Sequence, residues 1–339
     1  MNRTSIEWTH RPETGGAAGG FTWNPIRARL RGLSGQVYSS HSGTFCTRIS
    51  PGCTNCYASV INKRFGNGLE YTVPNLEKIE FYLNEKIFAE PFRRKKPATI
   101  FVGDMFDLFH EAIDPFLVGA VFGMMLKCPQ HTFQLLTKRA ARMCELISPY
   151  GVSPGSLMGQ NIWLGVSVES QKYADERIPL LLQTPAAVRF LSVEPMLEAV
   201  NLREVCSCGH IHSETCCEII RDAHGSYACG CPSRCGIQMG IDWVICGGES
   251  GPRARPFNLA WAESLHEQCK TWDVPFFMKQ IGSNATFNER PYPFREKIGA
   301  YDRKGGDPAE WPEHLRIREF PTPSSSLVNR PTDHGIAAG

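Results

Sequence analysis

The sequence predicts an α/β fold with a parallel sheet, on three observations. First, six short apolar runs rich in β-branched and aromatic residues recur: Thr99–Gly103, Thr132–Leu136, Ile162–Val168, Val188–Val193, Trp243–Cys246 and Pro275–Met278. Continuous apolar runs of this length suit strands buried on both faces. Second, most are followed by a helix-like stretch, and this alternation is the signature of strands joined by crossover helices. Third, each run stops at polar or glycine residues. These are Gly103-Asp104, Thr137-Lys138-Arg139, Ser167-Val168-Glu169, Ser192-Val193-Glu194, Gly247-Gly248-Glu249-Ser250 and Lys279-Gln280. In α/β barrels the C-terminal strand ends gather at the active site, so the repeated endings point to one shared pocket.

The elements between the strands follow from local chemistry. Asp114 caps a helix over Pro115–Lys127, with proline at the first helical position. Lys138–Ser148 and Lys172–Gln183 read as further helices, and Asn258 caps Leu259–Thr271. From about Ser283 the chain is rich in Pro, Arg and Gly and reads as an irregular extension over 284–320. The tail 321–339 offers almost nothing to bury and is expected to be disordered.

Composition bounds the function. The chain has 339 residues, 42% of them hydrophobic and 21% charged, enough for a sizeable core. Its net charge of +2 gives no bulk attraction to nucleic acid, although a local basic patch is compatible with it. The first residues lack the apolar stretch of a secretory signal, and no apolar run reaches the roughly 18 residues of a membrane span. A cytoplasmic protein without a membrane partner is expected. Its 14 cysteines then call for metal or redox chemistry rather than disulfides. Cys128, Cys144, Cys246 and Cys269 stand alone in apolar or helical surroundings, where free cysteine is a common core residue. The other ten form two clusters.

The first cluster is Cys46, Cys53 and Cys56, spaced C-x6-C-x2-C on a loop containing Pro51 and Gly52. Soft thiolates suit zinc and iron–sulfur clusters alike. A structural zinc site wants a fourth ligand, and the nearest candidate is His41. Three cysteines on a loop ahead of an α/β barrel resemble the radical S-adenosylmethionine (SAM) architecture, in which three thiolates hold a [4Fe–4S] cluster and the open iron chelates SAM. The usual spacing there is C-x3-C-x2-C with an aromatic before the last cysteine; here the first gap is six, Asn55 precedes Cys56 and Tyr57 follows it.

A closer resemblance covers roughly residues 5–283. The segments SIEWTH, TWNP, CTRISPGCTNCYA, IFVGDMFDLFHE, PQHTFQLLTKR, NIWLGVSVESQ, ADERIPLLLQTPAAVRFLSVEPML, WVICGGESGPRARP and VPFFMKQIG resemble the phage-associated three-Cys-motif family of radical-SAM-like proteins. The resemblance implies a partial (β/α)6-type TIM barrel over residues 1–283, with a [4Fe–4S] cluster and SAM as cofactors. It also implies a nucleobase or nucleotide substrate, with phage DNA base hypermodification as the theme and isomerisation of a group appended to thymidine as one reaction. An electron donor such as flavodoxin or ferredoxin is the expected partner. Within this frame Tyr57, Asp104, Ser167, Glu169, Gly247, Gly248, Glu249 and Ser250 are candidate SAM-binding residues, and Lys138, Glu194 and Lys279 candidate catalytic residues. Paired glycines admit a ligand close to the backbone, and Glu249 can accept from an amino group.

The second cluster, Cys206, Cys208, Cys216, Cys217, Cys229, Cys231 and Cys235, lies with His210, His212 and His224 in a segment, 203–240, that interrupts the barrel pattern. Too poor in large apolar residues to build a core, this insertion reads as a metal-dependent module. Zinc is the expected metal and a second iron–sulfur cluster the alternative. Among the remaining candidates, Arg253 and Arg255 can bind a carboxylate or phosphate bidentately, and Asp104 and Asp107 with His110 could form a metal or acid–base site, with a loop-capping pair as the favoured reading. The run Arg93–Lys96 reads as a solvated face. Two rival functions remain at this stage: a zinc-dependent nucleic-acid-binding protein, and a divalent-metal nuclease using Asp104, Glu169, Glu194 or Glu249.

Overall fold

The computed structural model describes residues 1–10, 20–32, 37–147, 160–202, 219–221, 227–229, 240–292 and 302–322, with the backbone alone for 37–41, 219–221 and 227–229. Seven parallel strands form its main sheet: β1 (Phe21–Trp23), β2 (Thr99–Val102), β3 (Thr132–Thr137), β4 (Ile162–Ser167), β5 (Val188–Val193), β6 (Trp243–Gly247) and β7 (Phe276–Gln280). They lie side by side in sequence order, and Asn2–Arg3 pairs antiparallel outside β1. All six expected strands are present. The sequence reading missed β1, whose three residues are too few to show a pattern.

The helices longer than one turn are α1 (Tyr57–Phe65), α2 (Pro115–Leu126), α3 (Ala140–Ile147), α4 (Gln171–Gln183) and α5 (Leu259–Thr271). Asp114 accepts from the Phe116 amide at 2.8 Å and Asn258 from the Ala260 amide at 3.1 Å, so both expected caps form. Helix α3 starts two residues later than expected, and side-chain oxygens hold the amides just ahead of it. Lys138 N donates to Asp107 Oδ2 and Arg139 N to Thr137 Oγ1.

Alternation along each strand sends side chains to two different cores. One face packs against helices through Ile100, Phe133, Leu164, Leu191, Val244 and Phe276. The other gathers Phe101, Trp163, Phe190, Trp243 and Phe277 around Trp8. The Trp8 ring centroid lies 4.7 Å from that of Phe101 on β2 and 6.4 Å from that of Trp243 on β6. Four strand spacings would separate β2 from β6 by about 19 Å on a flat sheet. One indole reaching both therefore means that the sheet curls around this aromatic cluster. Gly165 permits the fit, since a β-carbon there would collide with the Phe190 ring. Among the described residues no ladder joins β7 back to β1.

A small antiparallel sheet, Val37–Gly43, Ile26–Arg31 and Ile79–Leu83 in that order, leads into the cysteine loop. The segment expected to be an irregular extension is partly integrated. Ala285–Phe287 pairs with Phe257–Asn258, and Met278 N donates to Ile317 O at 2.8 Å. Trp311 and Leu315 join the helix-side core, while Phe320 packs against the aromatic cluster. Its lack of periodicity hid these anchors. The Cys-rich segment is described only as a backbone pair, Ile219–Arg221 with Tyr227–Cys229. Cys206, Cys208, Cys216, Cys217, Cys231, Cys235, His210, His212 and His224 lie outside the described residues, as does 323–339. No helix among the described residues is long and apolar enough to cross a membrane.

Replacing Trp8 by Ala should remove the ring that holds the concave face together and destabilise the protein by about 3–5 kcal/mol. A fall in the urea midpoint with an unchanged m-value is the expected reading.

Candidate functional site

The three-cysteine loop lies over the C-terminal ends of the parallel strands and is tied to several of them in turn. At the end of β3, Arg139 Nη2 donates to Thr47 O at 3.1 Å and to Thr47 Oγ1 at 2.9 Å, while its Nη1 lies 3.6 Å from Cys46 Sγ. Asp107 and Glu111 hold the same guanidinium from behind, at 3.2 and 2.9 Å. Beyond β4, Ser50 Oγ donates to Glu169 Oε1. Gly52 packs so closely on that carboxylate that any β-carbon there would strike it. Beyond β6, Asn55 Nδ2 donates to Glu249 Oε2 at 3.1 Å, and Arg255 Nη1 donates to Pro51 O at 3.0 Å. At the end of β2, Tyr57 OH donates to Asp104 O at 2.7 Å.

Two cation–carboxylate pairs stand at the same strand ends. Lys138 Nζ is 3.7 Å from Glu169 Oε1, and Lys279 Nζ is 3.1 Å from Glu194 Oε1. Glu169 is fully buried, and its second oxygen accepts from Arg177 Nη1 at 2.7 Å. Gly247 abuts Glu194, where a β-carbon would sit 2.7 Å from the carboxylate. Gly248 lies against the Ile281 carbonyl. Ser167 is buried, its carbonyl bonded by Arg177, whereas Ser250 is exposed. Every candidate strand-end residue therefore comes to one mouth, apart from the exposed Ser250, and most already have partners within the chain.

Local electrostatics follow from burial and these partners. Burial pushes the Cys46 thiol up to about 12, and the Arg139 guanidinium opposes it. Burial also raises the Cys56 thiol, against the pull of the Ser59 and Ala58 amides at the start of α1. Although these amides form no regular capping bond, they favour a thiolate. The Asp104 carboxyl is raised by burial, against hydrogen bonds from Asn24 and Thr22. Burial raises Glu249 as well, but the bonds from Arg255 and Asn55 outweigh it and leave the carboxyl below its ordinary value. His110 is lowered to about 4 by burial and then by Arg139.

Residues 34–307 match the model of a family described as a protein of unknown function, DUF5131. The chain belongs to the DUF5131 family. No curated protein and no solved structure matches it.

In this DUF5131 chain the described residues contain no group of three His, Cys, Asp or Glu side chains gathered as if around a metal ion. Each thiol instead has a neighbour of its own: the Thr47 carbonyl for Cys46 at 3.6 Å, the Ser50 hydroxyl for Cys53 at 3.7 Å, and the start of α1 for Cys56. The donor set still fits three thiolate ligands. A guanidinium, a hydroxyl and a pair of amides each face one sulfur, and such donors stabilise sulfur carrying negative charge.

Several clamps were not read from the sequence. Arg177 left a signal, because it occupies a buried position beside Ala174, Ile178 and Leu181 on α4. Asn55 and Ser50 left none, since their partners lie on distant segments, and Arg139 was read only as part of a strand end. Asp107 and His110 do form the expected capping bonds, to the Phe109 and Ala112 amides.

Two consequences are measurable. Glu169→Ala leaves Arg177 buried without its carboxylate and should cost about 3–5 kcal/mol in urea denaturation, because breaking a buried pair strands a charge. The folded His110 pKa, about 4, lies below its ordinary 6.5, so the unfolded chain binds the extra proton. Stability present above about pH 6.5 is lost as the pH falls toward 4, and the wild type should lose it more steeply than His110→Gln. Parallel pH profiles for the two proteins would contradict this account.

Proposed function

We propose that this protein is a radical SAM enzyme with a partial barrel, and that Cys46, Cys53 and Cys56 hold its iron–sulfur cluster. The observation carrying this reading is the position of the cysteine loop, laid across the ends of β2, β3, β4 and β6 by Tyr57, Arg139, Glu169 and Glu249. A loop of three thiols with no fourth cysteine close to it in sequence, placed over the mouth of a curved parallel sheet, suits a site that leaves one metal position open.

A [4Fe–4S] cluster there would supply the single electron that cleaves SAM and releases a 5′-deoxyadenosyl radical. The chain's own residues do the rest. Lys138 and Lys279 present ammonium groups at the mouth for a carboxylate or phosphate. Glu249 is fixed by Arg255 Nε at 2.9 Å, yet a carboxylate has acceptor sites beyond those used, so it can also take an amino group. Gly247 and Gly248 instead let the Glu194 carboxylate and the Ile281 carbonyl pack against this strand end. A nucleobase or nucleotide substrate, and DNA base hypermodification, rest on the resemblance of the long sequence segments. The Cys-rich segment 203–240 is assigned zinc on its composition.

Anaerobic reconstitution with iron and sulfide should give a brown protein with about four irons per cluster. Dithionite and SAM should then yield 5′-deoxyadenosine. Cys53→Ala should lose the colour while retaining zinc in the second segment. A colourless protein containing only zinc after careful reconstitution would overturn the proposal in favour of a zinc-dependent nucleic-acid-binding protein.

A further inference from the structure

Helix α1 is amphipathic in the wrong direction. Its buried face is small and polar. Ser59 Oγ accepts from the Tyr71 amide at 3.0 Å, and Asn62 bonds the Thr44 amide at 3.0 Å, Asn67 at 2.7 Å and the Leu69 carbonyl at 2.8 Å. Its outward face is apolar, with Val60 58% and Phe65 72% exposed and Ile61 between them. Ile49, on the cysteine loop itself, is also exposed. The segment 49–65 thus holds an unusual share of the large apolar side chains that the described residues leave in water, and such concentrations mark interaction surfaces.

The surroundings of this face are basic. Arg48, Lys63 and Arg64 are exposed. Glu70 pairs with Lys63 at 2.6 Å, and Arg48 also acts on it electrostatically, which places the loop and the helix on one surface. Arg64 lies over the Phe65 ring. Three cations against one carboxylate leave a positive excess on a chain whose total charge is only +2. The helix also begins directly after Cys56. At 1.5 Å per residue, Phe65 stands only about 13 Å along the axis from that sulfur.

We infer that the outward face of α1, with Ile49 and its basic rim, is the docking surface for an acidic one-electron redox protein that reduces the three-cysteine site. This rests on the proposed radical SAM reading and supplies its partner surface. One electron leaves the donor and is taken up at the three-cysteine site; no bond or proton changes hands in that step. A small apolar patch with a charged rim suits a brief redox encounter, which buries little area and gains its rate from charge steering.

The test uses reconstituted full-length protein and a purified acidic flavodoxin. Wild type is compared with Ile61→Glu, Phe65→Glu and, as a control on another helix, the exposed Phe116→Glu. Both α1 variants should weaken flavodoxin binding at least tenfold in calorimetric titration and slow flavodoxin-driven 5′-deoxyadenosine formation similarly. Wild-type binding should fall with added salt, and Phe116→Glu should behave as wild type. Dithionite-driven formation should be equal in all four. Unchanged flavodoxin binding with intact dithionite activity would overturn the docking surface alone. Loss of a homodimer or of DNA binding in the α1 variants, with flavodoxin binding unchanged, would overturn it in favour of that other occupant. Absence of any dithionite-driven product in wild type would instead fail the radical reading.

Discussion

The mouth of the sheet is organised around one buried carboxylate. Glu169 has no exposed surface, and an isolated charge in that position would be costly unless fully compensated. Compensation comes from three directions: Arg177 from α4, Lys138 from the end of β3, and Ser50 from the cysteine loop. Meeting the needs of this one group thus docks a helix, joins two strand ends and fixes the loop. Gly52 completes the arrangement by bringing the loop backbone against the carboxylate. Loop position and charge neutralisation are therefore one constraint.

Curvature makes those strand ends converge. Inward-facing positions change character along each strand, from Trp163 to Ser167 and Glu169 beyond β4, from Phe190 to Ser192 and Glu194 beyond β5, and from Phe277 to Lys279 on β7. The aromatic part of each series packs around Trp8 and bends the sheet. The polar part then reaches the concave mouth. Of the two lysine–glutamate pairs, Lys138–Glu169 joins the neighbouring strands β3 and β4, while Lys279 reaches from β7 past β6 to Glu194 beyond β5.

What the sequence made legible followed from local pattern. Apolar runs located six strands, caps at Asp114 and Asn258 located two helix starts, and the polar residue after each strand marked the mouth. What stayed hidden depended on distant partners. Arg139 marked a strand end, but it reaches Thr47 and Cys46, 92 and 93 residues away in the chain. Glu249 looked like a free acceptor, but Arg255 and Asn55 hold it. Period-2 alternation gave no hint of Trp8 inside the curve, because it comes from a single 3-10 turn, Glu7–Thr9. Matching residues 34–307 to a family of unknown function adds no chemistry, so the functional reading rests on the site.

The bonds that seat the cysteine loop scarcely use sulfur. Thr47, Ser50, Pro51, Asn55 and Tyr57 provide the anchors, and the contacts to sulfur are longer ones, from Arg139 and Thr47 to Cys46 and from Ser50 to Cys53. The nearby carboxylates Glu169, Glu194 and Glu249 already have cationic partners. The loop therefore needs no metal to find its place, unlike small modules whose fold is their metal site. Desolvation keeps Cys46 protonated in this state, and Arg139 stands ready to stabilise its thiolate. On the proposed reading, iron would bind a loop that these neighbours already seat over the strand ends.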